Sequence, residues 1–335
     1  MWQKRILGSL WIITMLIIVI VTFVNNKPYF IMGGSTSVSP LMNTLMADYT
    51  ENHKDADFTY NSLGSDAAII PVEKGMFGIG WLSKEYTTTN PNQISFVLSL
   101  DGMILVYNLP PSELGNNIPL NFNQTIVKKM YLTNSNVYWK DLFPKPQDPI
   151  QQDKQGWIKP TSTLKVLTYT RENGSGTRDV FNEKVLGNKA AYYPQATTVN
   201  SSTQMFNMAP GGIGYSSYSD KKQLISNPLF TNVRMGDWGN VTPSLDTIKN
   251  KTYTLARPFT GLINTKYKQM NTLVKFLKFL FDPSNPNHNI VDTAFNEDNY
   301  AQAAVPWDDD PSGVNDKLYA WLHPHHTPSP SNPVI

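Results

Sequence analysis

The amino-acid sequence predicts an α/β fold. Short apolar runs of β-prone residues recur along the chain, and several of them precede runs whose apolar residues have helical spacing. Loops rich in Gly, Ser and Thr connect the two kinds of run. Strands that alternate with helices are typical of α/β proteins, whose ligands bind beyond the carboxyl ends of the strands. The sequence therefore predicts a binding site at these loops.

The first element is a predicted membrane anchor within residues 1–27. Residues 6–26 carry no charge, and residues 6–24 are mostly apolar, enough for a helix of about 28 Å that matches the hydrocarbon core. This run is longer than the apolar part of a secretory signal, and no small-residue cleavage site follows it. We expect an uncleaved helix, with a cleaved signal as the alternative. Because Lys4 and Arg5 precede it, we predict a single-pass protein of the cell membrane whose binding region is extracytoplasmic.

The first Gly/Ser loop, GGSTSVSP at residues 33–40, follows a short apolar strand at residues 29–32. Apolar residues then recur at helical spacing from Leu41 onward. Ser39 is suited to cap this helix, and Pro40 is suited to its first position. The pattern predicts a strand, a loop and a helix in succession.

The second loop, residues 63–68, follows a predicted strand at residues 57–61 and begins another helix. Pro71 is expected to kink or end this helix, because proline lacks a backbone N–H donor. Residues 77–81 are then predicted as a short strand, and a long β-rich stretch covers residues 94–108.

The middle of the chain is predicted to contain one helix and much loop. Residues 125–132 have the helical pattern, and residues 139–142 are placed in the loop that follows. Both Trp81 and Trp139 are expected to pack in the core or on a lobe surface rather than stack on a ligand. The segment 144–160 is polar and contains four prolines, so we expect a surface loop.

The third loop, RENGSGT at residues 171–177, is the strongest candidate for anion binding. Its glycines let the backbone turn tightly and leave the N–H groups of the following helix pointing outward. Ser175 and Thr177 add hydroxyl donors, and Arg171 adds a planar fork that fits two oxygens of a tetrahedral oxyanion. The alternative is an ordinary capped helix start with an ion-paired arginine.

The C-terminal part is predicted to contain a helix-like run, a Gly-rich strand entry, a β-prone segment and two helices, at residues 203–208, 210–216, 253–264, 270–281 and 290–295. Pro258 indicates an edge strand or a crossing strand rather than a central one. Residues 323–335 contain four prolines and little apolar surface to bury, which predicts a disordered tail.

Composition and charge exclude several classes of function. The formal net charge of +2, with no Lys/Arg run longer than two residues, gives no support to nucleic-acid binding. The chain has no cysteine, which excludes disulfides, thiolate metal sites and a cysteine nucleophile.

Catalytic and metal sites also lack support. Neither His53 nor His288 has a sequence neighbour that would make it a general base, and the G-x-S-x-G nucleophile motif is absent. The His-rich segment 323–326 could hold a metal, but a solvated tail is the alternative because the sequence has no other zinc-type ligand set. We therefore expect no catalytic residue, metal or cofactor.

Four loops of this kind, spread over about 180 residues, are difficult to explain as independent helix caps. In order and spacing, residues 33–40, the Gly64-Ser65 turn, residues 171–177 and the strand entry at 210–219 resemble the phosphate-binding proteins of the phosphate ABC transporter, the PstS family. The likeness covers roughly residues 28–320.

The resemblance implies a two-lobed periplasmic-binding-protein fold with two crossover strands that closes on a dehydrated phosphate. One lobe would comprise residues 28–107 and 257–322, and the other would comprise residues 108–256. Carried over by motif position, the phosphate-binding residues would be Thr36, Ser37, Ser65, Arg171, Ser175, Gly176 and Thr177.

One position departs from the family pattern. Well-known members of the family have an aspartate after the strand equivalent to residues 77–80, where it accepts the proton of hydrogen phosphate, and here that position is Trp81. Asp66, next to Ser65, could supply the acceptor instead and is included among the candidate phosphate-binding residues. The alternative is that Asp66 only stabilises the N-terminus of its own helix.

The implied function is an extracytoplasmic phosphate-binding protein, not an enzyme. Its partners would be inorganic phosphate, the permease subunits of an ABC transporter, and the membrane through the N-terminal helix. Two alternatives remain open, namely a phosphatase-like enzyme that uses the same anion site and a surface protein that keeps the fold without a ligand.

Overall fold

The computed structural model describes residues 27–133, 136–282, 284, 288–295, 303–304 and 315–324. The predicted anchor, apart from residue 27, lies outside the described residues, and so does the predicted tail beyond residue 324. Within the described ranges, no helix is both long enough and apolar enough to cross a bilayer.

The described strands and helices alternate, as the sequence predicts. The strands are β1 (Tyr29–Gly34), β2 (Asp57–Ser62), β3 (Ile79–Leu82), β4 (Gln93–Asn108), β5 (Asn121–Phe122), β6 (Leu167–Arg171), β7 (Thr197–Val199), β8 (Gly212–Ser217), β9 (Val233–Met235), β10 (Asp237–Trp238), β11 (Ala256–Asn264) and β12 (Ala303–Ala304). The α-helices are α1 (Ser39–Asn52), α2 (Ile69–Glu73), α3 (Gln124–Leu132), α4 (Trp139–Leu142), α5 (Pro149–Gln152), α6 (Gly176–Val180), α7 (Lys221–Ser226), α8 (Leu245–Lys249), α9 (Met270–Phe281), α10 (His288–Ala294) and α11 (Asp316–Leu322).

Short helical turns of other types extend or precede several of these helices. A π-helical turn, Phe181–Val185, continues α6, and the 3₁₀ turns are Asp66–Ala68, Thr203–Asn207, Tyr218–Asp220 and Pro228–Phe230.

The main sheet consists of two parallel groups of strands joined by two long strands. Its order is β2-β1-β3-β11-β4-β8-β6-β7, with β9 and β12 also paired to β4. β1 runs parallel to β2 and β3, and β6 runs parallel to β7 and β8. β4 and β11 pair antiparallel with each other across the middle. They are the two crossover strands that connect the lobes.

Two large hydrophobic cores flank this crossing. The first lies around β1 and β3 and draws its residues from 30–98 and 259–322, while the second lies around β6 and β8 and draws its residues from 103–255. We call these two parts the first and second lobes. The predicted two-lobed α/β fold is therefore confirmed, while the exact lobe bounds stay a prediction.

The crossing point depends on a close approach between the strands and the second lobe. A Cβ atom at Gly102 would lie 2.7 Å from the terminal methyl group of Ile248, so a larger residue would require this side chain to move. Pro258 pairs with Leu100 of β4, and the register between β11 and β4 shifts between Phe259 and Thr260. β11 crosses between the lobes as predicted, but it is a central strand with β3 and β4 on either side, and Pro258 lies in the part that pairs with β4 alone.

Three local predictions are wrong. Ser39 does not cap α1, because it is the first residue of the helix. The cap position is Val38, whose side chain makes no cap hydrogen bond. Pro71 does not end α2, which continues to Glu73, because it lies in the first turn, where no N–H donor is needed; a kink at Pro71 stays a prediction. Trp139 begins the helical turn α4 instead of lying in a loop, and its indole N–H donates to the Gly211 carbonyl at 2.9 Å.

Candidate anion-binding site

The candidate site lies where the loops that follow five strands meet between the lobes. These loops follow β1, β2 and β3 in the first lobe and β6 and β7 in the second. Parallel strands present their carboxyl ends at one edge of the sheet, which places these loops side by side. The first loop begins at Gly34, whose φ of +128° is a conformation that other residues rarely adopt.

Arg171, the last residue of β6, is the central cation of this site. Its side chain is 1% exposed. One terminal nitrogen, Nη2, donates to Thr36 Oγ1 of the opposite lobe at 2.7 Å, and Nη1 donates to Ser202 Oγ at 2.9 Å. Glu172 accepts from Nε and Nη2, both at 2.8 Å. These bonds hold the plane of the guanidinium in one orientation.

Three buried hydroxyls from both lobes converge beside Arg171. The Oγ of Ser37 lies 2.8 Å from Ser202 Oγ and 3.3 Å from Thr177 Oγ1. All three side chains are buried. Hydroxyl groups can each donate one hydrogen bond and accept two, so this cluster can face the oxygens of an anion or a protonated oxygen.

Ser65 and Gly176 lie close to each other across the lobe interface. A Cβ atom at Gly176 would lie 2.6 Å from Ser65 Oγ and 2.8 Å from Ser83 Oγ, so a larger residue would separate the lobes. Ser65 Oγ also accepts from the backbone N–H of Ser83 at 3.1 Å. Ser175 is buried and caps α6, its Oγ accepting from the Arg178 N–H at 3.4 Å.

Asp66 is placed at the rim of the site. Its half-exposed carboxylate lies 2.6 Å from the ammonium group of Lys84, which also contacts Asp179 of the second lobe. Burial lowers the pKa of Lys84, but hydrogen bonds and charges from Asp179 and Asp66 outweigh it, so the pKa is raised. The lysine therefore stays charged and links the two lobes.

Trp81 lies in the core of the first lobe. Its side chain is fully buried and packs edge-to-face on Phe96, with ring centroids 5.7 Å apart. Trp139 is likewise fully buried in the second lobe. The prediction that both tryptophans serve packing is confirmed, and the position where the family pattern has an aspartate presents an indole to the core.

Four residues of this site were not predicted from the sequence, namely Glu172, Ser83, Lys84 and Ser202. Ser83 and Lys84 directly follow β3, and Ser202 follows β7. The rule that ligands bind beyond the carboxyl ends of parallel strands could have identified these positions. No glycine motif marks the loops of Ser83, Lys84 and Ser202, whereas Glu172 lies within the third loop itself.

A buried ionic network in the crossover strands lies next to the site. Arg257 of β11 donates from Nε and Nη2 to Asp101 Oδ2 of β4 at 3.1 and 3.0 Å, and from Nη1 to the Ser83 carbonyl at 3.2 Å. Ser217 Oγ donates to the same carboxylate at 2.6 Å. Burial raises the pKa of Asp101, although the Arg257 charge opposes this. The network joins the crossing point to the loop after β3.

Asp220 is the second buried carboxyl of this region. Its Oδ2 accepts from Ser216 Oγ at 2.7 Å. Burial is the main cause that raises its pKa, to about 6, and the charge of Asp101 adds to the effect while the Ser216 hydrogen bond opposes it.

Among the described residues, no group of three or more His, Asp or Glu side chains is arranged to hold a metal ion.

A two-lobed α/β fold with two crossover strands, and with polar loops that meet between the lobes, defines a binding protein of the periplasmic type. The chain belongs to the PBP superfamily, whose domain model matches residues 25–284. The resemblance predicted from the four loops is confirmed by the relatives that the chain matches.

The phosphate-binding protein PstS of Staphylococcus epidermidis is 23% identical over 251 residues, which covers 74% of this chain and 73% of the relative. A chain from Clostridium perfringens, assigned to phosphate ABC transport and solved with bound phosphate, is similar with a TM-score of 0.61 and 20% identity, covering 83% of this chain and 99% of that one. An ABC-type phosphate transport receptor from Vibrio cholerae has a TM-score of 0.55 and 24% identity, covering 79% and 97%. At these identities the two structures show a shared fold.

Proposed function

We propose that this chain is an extracytoplasmic phosphate-binding protein, which captures inorganic phosphate between its lobes and delivers it to the permease subunits of an ABC transporter. The observation that carries the proposal is the convergence of Arg171 with hydroxyls from both lobes at a buried interface. Relatives that carry the name of phosphate-binding protein support the choice of ligand.

The proposed mechanism is the replacement of water around the anion by groups already fixed in position. The residues proposed to bind phosphate are Thr36, Ser37, Ser65, Arg171, Ser175, Gly176 and Thr177. Arg171 supplies positive charge, its Nε–Nη2 edge being held by Glu172, while the hydroxyls supply donors that water would otherwise provide. Because these groups come from both lobes, bound phosphate favours the closed arrangement.

The proposed role of Asp66 differs from that of the hydroxyl residues. From the sequence, Asp66 is a candidate for direct acceptance of the phosphate proton. Its carboxylate is engaged by Lys84, and Lys84 also contacts Asp179 across the lobe interface. We therefore propose that Asp66 acts chiefly on lobe closure, by holding Lys84 in place, and that direct acceptance of the phosphate proton is the alternative.

The membrane attachment and the lobe bounds also belong to the proposal. We propose that residues 1–27 anchor the protein in the cell membrane as an uncleaved helix, supported by their uncharged apolar run. The lobes proposed are residues 28–107 with 257–322, and residues 108–256. A short tether would keep the binding lobes close to a membrane permease.

Two measurements on the purified full chain separate this function from its alternatives. When the purified protein is denatured, it should release inorganic phosphate in a molar amount nearly equal to that of the protein, because a closed site releases its ligand slowly. A phosphomonoester incubated with the protein should not be hydrolysed. Protein that neither retains nor binds added phosphate would be a scaffold without this ligand, and sustained release of phosphate from the ester would indicate an enzyme.

A further inference from the structure

Ser202 has an arrangement that its own helical turn does not explain. It precedes the 3₁₀ turn Thr203–Asn207 in the position where a serine commonly caps a helix, yet its side chain makes no cap bond. The neighbouring Ser201 serves the turn instead, its Oγ accepting from the Gln204 N–H at 3.1 Å. The Ser202 hydroxyl is therefore available for another role.

The Ser202 hydroxyl points into the lobe interface. It accepts from Arg171 Nη1 at 2.9 Å and lies 2.8 Å from Ser37 Oγ, and its side chain is 1% exposed. A guanidinium group can only donate, so this bond uses one lone pair of the oxygen. The hydroxyl keeps one proton to donate and one further lone pair, which suits it to a partly protonated tetrahedral oxyanion.

The backbone under Ser202 is held from the second lobe. Its carbonyl lies 3.1 Å from Ser216 Oγ, whose single proton is shared between this carbonyl and the buried carboxyl of Asp220, 2.7 Å away. On the other side, the Asn200 N–H donates to the Gln204 side chain at 2.9 Å. The loop after β7 thus presents this hydroxyl in a fixed position.

We propose that Ser202 is a further phosphate-contacting residue, contributed by a fifth loop that carries no glycine motif. The inference rests on the proposed function, since Ser202 contacts two groups proposed to bind phosphate. On binding, its hydroxyl turns from Ser37 to a phosphate oxygen while the bond from Arg171 is kept.

The test is titration calorimetry of the full chain with inorganic phosphate, with Ser202→Ala compared to the matched control Ser201→Ala. Ser202→Ala should weaken binding about 10- to 100-fold, the effect expected for a hydrogen bond to a charged group. Ser201→Ala should change the affinity less than about twofold, because its hydroxyl serves only the helical turn. Equal affinities for Ser202→Ala and the wild type would overturn the inference.

A double mutant distinguishes a direct contact between Ser202 and phosphate from a role of Ser202 in orienting Arg171. Ser202→Ala introduced into an Arg171→Lys background should weaken phosphate binding by a further severalfold, since the lost contact is made to the ligand. No additional loss in that background would mean that Ser202 only orients Arg171, which contradicts the inference. If the wild type itself gives no phosphate binding, the proposed function fails and the inference fails with it.

Discussion

Arg171 combines burial with a fixed orientation, which a flexible surface arginine does not have. Its guanidinium contacts side chains of both lobes, and its positive charge is paired with the carboxylate of Glu172. Charge-assisted bonds of this kind are about twice as strong as neutral ones, and Arg–carboxylate pairing also fixes geometry. The affinity and the orientation of a bound oxyanion should therefore depend on this one residue more than on any single hydroxyl.

Gly176 allows the two lobes to approach each other at the site. Gly176→Ala should weaken phosphate binding at least about 10-fold, because the new methyl group would occupy the space of Ser65 Oγ and Ser83 Oγ. Gly75→Ala is the control, since its φ is +66° and no atom lies within 4 Å of the added Cβ. It should lower stability by about 1 kcal/mol and leave affinity unchanged. Wild-type affinity in Gly176→Ala would show that the lobes do not close there.

Asp66 gives a test of selectivity between oxyanions. Asp66→Asn should leave the ratio of phosphate to sulfate affinity unchanged, because its carboxylate contacts Lys84 at the rim. Phosphate affinity itself should fall modestly, since the lysine loses one of its two partners. Competition calorimetry with both anions measures the ratio. A clear gain in sulfate binding would instead support Asp66 as the acceptor of the phosphate proton.

The crossover strands β4 and β11 hold charged groups where most strands hold apolar ones. Asp101 and Arg257 are each almost fully buried and pair with each other across the strands. Removing one partner of such a pair leaves an uncompensated buried charge. The pair therefore ties the two strands together at the point where the lobes diverge.

Asp220, in the turn after β8, predicts a specific pH dependence of stability. A carboxyl whose pKa rises on folding from 3.8 to about 6 binds more protons in the folded state between these values. Its stabilising contribution is present below pH about 4 and is lost as the pH rises through about 6. At about 1.4 kcal/mol per pKa unit, the loss is on the order of 3 kcal/mol.

Asp220→Asn should remove this component, because the amide stays neutral and its oxygen can still accept from Ser216. Urea unfolding at pH 4, 6 and 8 measures the free energy of unfolding of both proteins. Relative to the wild type, the variant should become more stable as the pH rises from 4 to 8. A constant difference across this range would show that Asp220 does not titrate as described.

The sequence could predict those elements of the fold that have local signals. The long apolar run of β4 and the helical spacing of α1 and α9 identify these elements without reference to the rest of the chain. The wrong predictions at Pro71 and at residues 139–142 concern short helices, where one turn lacks enough residues to show a period.

The binding site could be predicted from the sequence only where a local pattern marks one of its loops. Glycine motifs mark the loops of Thr36 and Arg171, but Ser83 and Ser202 have no such mark and enter the site only through the strand order. The pairing of Lys84 with Asp179 joins residues 95 positions apart, and that of Asp101 with Arg257 joins residues 156 apart. Such contacts depend on how the lobes pack, which no local pattern reports.

At the scale of the whole molecule, the two lobes are joined by more than the crossover strands. Arg171 with Thr36, Ser37 with Thr177, and Lys84 with Asp179 each bridge the lobe interface. The hydrogen-bonding groups at the centre are those proposed to bind the anion, while the ion pair lies at the rim. Ligand binding and lobe closure therefore depend on the same contacts and should occur together.

Titration calorimetry of the full chain with phosphate, for the wild type, Arg171→Ala and Arg234→Ala, tests the central claim most directly. Arg234 lies in β9, outside the five loops, and controls for the loss of one positive charge. The wild type and Arg234→Ala should bind phosphate alike, and Arg171→Ala should lose about 3 kcal/mol or more of binding free energy, because the anion loses its central cation. Arg171→Ala that binds phosphate as the wild type does would contradict the assigned site.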